Sequence, residues 1–202
     1  NISYDTICHE HLEYYSLKSV KYLLDQVGFS IIDIELNSIN GGSFALTVAK
    51  KKSGFKINTK LVEWLLYKES LFQMNNLETF KNFFKYALKQ KKLLKDLLYN
   101  LKDMKKKVLG YGASTKGNVI LQFCEINKKI LPFICEVNSY KYNRFTPGTK
   151  IKIISEEVAK KMNPDYFFVL PWHFKDFILK RERNFIKRGG KFIFPLPDIE
   201  IV

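Results

Sequence analysis

Two of the chain's three histidines fall within four residues, Cys8-His9-Glu10-His11. Imidazole titrates near neutrality, and an adjacent carboxylate can orient it or share in proton transfer. The cluster therefore suits general acid–base chemistry. It makes a poor metal site. On a strand His9 and His11 would share a face, but Cys8 would point the other way and His173 is remote in sequence. A plain surface or helix-start role stands beside the acid–base reading, and spacing alone does not choose between them.

A second candidate lies at Gly110-Tyr111-Gly112-Ala113-Ser114-Thr115-Lys116-Gly117-Asn118, where an apolar strand runs through a glycine turn into a helix. A helix N-terminus offers backbone N–H groups and the positive end of a dipole, and glycine lets that backbone approach a phosphate closely. The segment fails the dinucleotide fingerprint, because Thr115 stands where the third glycine belongs. It fails the P-loop pattern, because Asn118 stands where lysine is required. What remains is a generic phosphate loop with Ser114, Thr115, Lys116 and Asn118 as donors. Glu136, closing the next apolar run, could accept from a ribose hydroxyl. The opposing reading is a turn whose glycines serve packing alone.

The elements that must carry these groups follow from periodicity. Residues 16–29 form an amphipathic helix with Leu17, Val20, Leu23, Leu24 and Val27 as its stripe and Gly28 as its cap. Strands are expected at 29–35 and 44–49, paired across a turn at Asn40-Gly41-Gly42-Ser43. Residues 51–107 read as helical with a break near Asn75-Asn76. From there strands at 108–113, 130–137, 165–170 and 191–194 alternate with helices at 116–123, 155–162 and 175–188. Nearly all-apolar strands alternating with helices predict an α/β fold, a Rossmann-like parallel sheet covered on both faces.

Composition narrows the function. The 202 residues carry 34 Lys and Arg against 20 Asp and Glu, a net charge of +14. With 46% hydrophobic residues the chain can bury a core, so disorder is excluded. No apolar run nears the roughly 20 residues of a membrane span. Ten lysines against two acids lie between Lys81 and Lys107, and only four residues of the chain are Arg. Base-reading proteins favour arginine. The lysines also alternate with a helical stripe of Phe80, Phe84, Ala87, Leu88, Leu94, Leu97, Leu98 and Leu101. A solvated helix face is the preferred reading, with no nucleic acid and no membrane as partner. Cys8, Cys124 and Cys135 are too few for a disulfide framework or a zinc ribbon, and a reducing cytoplasm is expected. The chain opens without an initiator Met or a signal-peptide pattern, and we expect it to be the C-terminal portion of a longer protein.

The motifs taken in order are more specific than any one alone. They are Tyr4-Asp5-Thr6-Ile7-Cys8-His9-Glu10-His11 through Leu17, Gly41-Gly42-Ser43, Tyr111 to Asn118, Thr146-Pro147-Gly148-Thr149, Leu170-Pro171-Trp172-His173-Phe174, and the ending Gly189-Gly190-Lys191 to Pro197. Over essentially its whole length the chain resembles the C-terminal half of the S-adenosylmethionine-dependent sugar-nucleotide C-methyltransferases, which make branched deoxysugars for surface polysaccharides and secondary metabolites. The resemblance implies that residues 1–50 end a class I methyltransferase domain, 51–104 form a helical connector, and 105–202 form a Rossmann-like domain that holds a nucleotide sugar (dTDP-, GDP-, CDP- or UDP-linked). It places the S-adenosylmethionine loop, and the zinc of a further N-terminal domain, upstream of these residues. It also implies that His11 is the general base of enolate formation next to the ketone of a 4-keto sugar, helped by Glu10 and His9. Cys8 stands where the family carries tyrosine, and a thiol is the poorer hydrogen-bond donor. By the same resemblance Tyr111, Gly112, Ala113, Ser114, Lys116, Gly117 and Asn118 contact the pyrophosphate, and Lys141 and Arg144, with Tyr140 beside them, are further nucleotide contacts. A non-catalytic nucleotide-sugar module is the alternative, and a lysine-driven nucleic-acid binder the less favoured one.

Overall fold

The computed structural model describes residues 3–37 and 42–202, which divide into two compact units, 11–84 and 3–10 with 85–202. The Asn40-Gly41 half of the expected turn lies outside the described residues.

In the first unit α1 (Leu17–Gln26) is followed by β1 (Phe29–Asn37) and β2 (Ser43–Lys50), then α2 (Thr59–Leu71). Ser16 caps α1 reciprocally. Its hydroxyl accepts from Ser19 N–H at 3.2 Å, and Ser19 Oγ accepts from Ser16 N–H at 2.9 Å. Gly28, at φ +79°, ends the helix as expected. The two strands are antiparallel, pairing Phe29 with Lys50 and Asn37 with Ser43. Leu17, Ile31, Ile34 and Val62 are the buried centre, with Leu24, Leu46 and Leu66 packed around them. The expected helix from residue 51 starts only at Thr59. Lys51 to Gly54 turn instead, with Gly54 at φ +75°, and Asn58 N–H is held by Ile32 C=O at 2.8 Å.

The second unit is built on six strands, β3 (Val108–Tyr111), β4 (Phe133–Glu136), β5 (Lys152–Ser155), β6 (Tyr166–Val169), β7 (Lys191–Phe194) and β8 (Glu200–Ile201). Their order is β5-β4-β3-β6-β7-β8, parallel except for the antiparallel β8. This is the doubly wound order, which reverses direction between β3 and β6. The expected α/β class is therefore what folds. Short strands buried on both faces hold its core, including Leu109, Ile134, Phe167, Phe168, Phe192 and Ile193. Helices α4 (Thr115–Phe123), α5 (Glu156–Lys161), α6 (Lys175–Arg181) and α7 (Arg183–Lys187) connect the strands.

Helix α3 (Leu77–Asp103) buries Ala87, Gln90, Leu94, Leu98 and Leu101. The expected stripe is corrected at three positions, since Phe80, Phe84 and Leu88 are exposed. Gln90 takes a buried position because its amide donates to Tyr86 Oη at 2.8 Å and to Asp198 at 3.3 Å. Lys91 and Lys95 both pair with Glu125, at 2.5 and 2.6 Å, so part of the basic run is neutralised within the fold. No described helix is long and apolar enough to cross a membrane.

Candidate binding cleft and histidine cluster

Strand order reverses between β3 and β6, and in doubly wound sheets ligand sites form at the carboxyl ends of the strands around that point. Here β3 runs through Gly112 into Ser114, the N-cap of α4, whose hydroxyl accepts from Gly117 N–H at 3.0 Å. Gly112 sits at φ +79°, and a β-carbon there would stand 2.7 Å from the Pro171 ring of the β6 loop. Glycine is thus required twice, for the backbone angle and for the approach.

Glu136, at the end of β4, locks the glycine loop. One oxygen accepts from Ala113 N–H at 3.0 Å and from Lys141 Nζ at 3.2 Å. The other accepts from Val137 and Asn138 N–H at 2.8 and 3.1 Å. These donors fill the roughly four acceptor positions of a carboxylate. Burial pushes the Glu136 carboxyl up, but the bonds from Asn138, Lys141 and Val137 outweigh it and hold it below its ordinary value of 4.5. Lys141 also donates to Ala113 C=O at 2.9 Å. Most loop amides are therefore bonded internally. Gly112 N–H goes to Cys135 C=O at 2.8 Å and Ser114 N–H to Gly112 C=O at 3.0 Å.

A cleft of about 450 Å³ opens beside this loop. Its polar wall is Ser114, Glu136, Lys141, Glu156 and Arg181. Its apolar wall is Pro171, Phe174, Phe177 and Ile178. Beneath it Tyr111 donates to the buried Glu182 at 3.0 Å, and Lys160 pairs with Glu182 at 2.8 Å. Arg181 bonds Glu156 directly. Burial, and then the carboxylates of Glu156 and Glu182, push the Tyr111 phenol up, so it stays a proton donor. The cleft thus combines two ion pairs, Glu136 with Lys141 and Glu156 with Arg181, with apolar side chains from Pro171 to Ile178, the mixed lining of a small-molecule site. The carboxylate is saturated, the phenol is buried and the lysine is ion-paired.

Of the residues singled out from sequence, Tyr111, Gly112, Ser114, Glu136 and Lys141 line this cleft. Ala113 touches it through Glu136 and Lys141. Lys116, Gly117 and Asn118 lie in the first turn of α4 and do not line it, and Arg144 is exposed beyond it. Cys8 is half-buried, and His9, Glu10 and His11 are exposed; His9 Nε2 approaches Glu10 at 3.9 Å. Among the described residues no group of three His, Cys, Asp or Glu is arranged to hold a metal. Sequence reasoning missed Glu156, Phe174, Phe177, Ile178 and Arg181. Four of them recur at positions i, i+3, i+4 and i+7, a helical face visible in the sequence but indistinguishable there from a core stripe.

The strand order and connections give this unit a doubly wound, Rossmann-like α/β fold. Comparison with known families is more specific. Residues 38–197 match the model of the C-methyltransferase C-terminal domain, and the chain belongs to that family. A curated relative, the C-methyltransferase NovU of Streptomyces niveus, is 29% identical over all 202 residues. The chain spans about half of that relative, 48% of its length.

Proposed function

We propose that the chain is the C-terminal half of an enzyme that transfers a methyl group from S-adenosylmethionine to a ring carbon of a nucleotide-linked 4-keto-deoxysugar. In this reading the cleft at the β3–β6 switch point receives the nucleotide end of the substrate, and the His-Glu-His cluster handles the proton. Residues 1–50 complete a methyltransferase domain, 51–104 connect, and 105–202 form the substrate domain. The reaction runs in the cytoplasm, where nucleotide sugars are made. S-adenosylmethionine supplies an electrophilic methyl group, and its binding residues are assigned to the half of the protein outside this sequence.

The ketone acidifies the adjacent C–H. His11, as the neutral imidazole, takes that proton, and the C–H electron pair becomes the enolate. The enolate carbon forms the new C–C bond as the methyl–sulfur bond breaks and its pair returns to sulfur. Glu10 stabilises the imidazolium, and the proton passes from His11 to water. Exposure of His11 to solvent suits that last transfer.

The observation that carries the reading is the cleft itself, lined by Lys141 and Arg181 together with Pro171, Phe174 and Phe177, at the carboxyl ends of the parallel strands in a chain of this family. The test is His11→Asn in the full-length protein. General-base loss lowers kcat by about 10²–10⁴-fold and leaves KM for the sugar nucleotide nearly unchanged. Methyl transfer near the wild-type rate would show that His11 is not the base. A second reading is a nucleotide-sugar binding module without chemistry, favoured by the four donors that fill the Glu136 carboxylate in the cleft. Under it UDP or dTDP binds wild type and His11→Asn alike and no methyl moves in either.

A further inference from the structure

The residues just before the histidines are held in an unusual way. Tyr4 is buried, its ring 4.9 Å from Phe123 and its hydroxyl 3.3 Å from Cys124 Sγ, at the end of α4. Asp5 is wholly buried, and its Oδ2 accepts from the Trp172 indole N–H at 2.7 Å. Trp172 follows Pro171, the residue against which Gly112 packs. Two consecutive side chains thus fasten the segment to both elements that flank the switch point, α4 and the β6 loop. Ile7 N–H returns to Tyr4 C=O at 3.0 Å, closing a turn, and His9 and Glu10 follow directly. Four residues reach at most about 14 Å, so Asp5 limits how far His9 can lie from the β6 loop.

The energetics argue against a purely stabilising role. A carboxylate taken fully out of water is costly unless its oxygens are paired. Asp5 Oδ2 has one neutral donor, and Oδ1 is buried without a partner. Its neighbour His173 also has a buried, unpaired Nδ1. An apolar side chain would fill the same space without this penalty. The bond is directional where an apolar contact is not, and what it directs is the turn that leads to the histidines.

We propose that Asp5 and Trp172 are positioning residues: their buried bond ties the end of β6 at the nucleotide cleft to the turn carrying His9 and Glu10, and so presets these two residues for their part in proton transfer. The catalytic part of this inference rests on the function proposed above, whereas the tie itself can be tested without it.

The experiment uses the full-length protein and three forms. Asp5→Asn keeps an acceptor for the indole. The double variant Asp5→Leu/Trp172→Phe removes both polar partners, so that neither is left orphaned. Amide hydrogen exchange over residues 6–10 should speed up by at least about tenfold in the double variant and stay near wild type in Asp5→Asn. In the double variant kcat for methyl transfer should fall by about tenfold or more. KM for the sugar nucleotide and the affinity for UDP or dTDP as probe should change less than about threefold. Asp5→Asn should retain kcat. Unchanged exchange in the double variant overturns the tie. Faster exchange with undiminished kcat overturns its part in proton transfer. If wild type itself moves no methyl, the enzymatic reading fails and the exchange result still decides the tie. Trp172→Phe alone, read at the same amides, replaces the double variant should the latter not fold.

Discussion

Replacing Glu136 by Gln tests whether this residue is the clamp of the glycine loop. The carboxylate receives four bonds, two on each oxygen. An amide keeps one oxygen, and its NH2 must then face two donors whichever way it turns. If it faces Val137 and Asn138, two backbone N–H groups beside a nearly buried side chain lose their acceptor. If it faces Ala113 and Lys141, one amide is orphaned and the half-exposed ammonium swings to water. A bond to a charged acceptor contributes about 1.5–3 kcal/mol, and an orphaned buried donor costs about 1–3 kcal/mol. The milder orientation therefore costs about 2–4 kcal/mol, read as a shift in the urea midpoint at unchanged slope. The pH dependence fixes the sign. The folded-state value of Glu136 lies below its ordinary 4.5, so its contribution is complete above pH 4.5 and is lost as pH falls through the depressed value. The gap between wild type and Glu136→Gln should be constant from about pH 5.5 to 8 and narrow in more acidic solution. A gap under about 0.5 kcal/mol at pH 7, or one that widens with acid, would refute the clamp.

Two further outcomes follow from the same geometry. Gly112→Ala forces a β-carbon to 2.7 Å from the Pro171 ring at φ +79°. With about 1–2 kcal/mol for the backbone and about 1–3 for overpacking, it should destabilise by about 2–5 kcal/mol in urea unfolding and weaken UDP or dTDP binding. Burial pushes the thiols of Cys124 and Cys135 up, while Cys8 is half-buried. Brief alkylation at pH 8 followed by peptide mapping should therefore find Cys8 modified, with the other two reacting only in denaturant.

The sheet was legible because its strands are short, apolar and spaced by helices. The reading from Lys191 to Phe194 coincides with β7, and Phe29 and Phe123 mark boundaries that the fold keeps. The edge strand β5 escaped because Lys152 to Ser155 offers only two apolar residues, and the two-residue β8 carries no pattern at all. The expected single helix over 175–188 divides at Glu182, whose carboxylate is drawn in to meet Tyr111 and Lys160. Nothing local in the sequence signals those partners, which lie 71 and 22 residues away. The same holds for the site. A glycine turn and a strand-ending acid can be seen in the chain, and that the acid closes the turn cannot. Asp5 read as part of a motif, but its bond to Trp172 spans 167 residues and required the fold.

The central claim concerns where a methyl group goes. Full-length protein incubated with 13C-methyl S-adenosylmethionine and a nucleotide-linked 4-keto-deoxysugar should give a product whose labelled methyl couples, in carbon NMR, to a ring carbon of the sugar. Label appearing on oxygen or nitrogen, or remaining wholly on the cofactor in the presence of each of the dTDP-, GDP-, CDP- and UDP-linked keto sugars, would contradict the account.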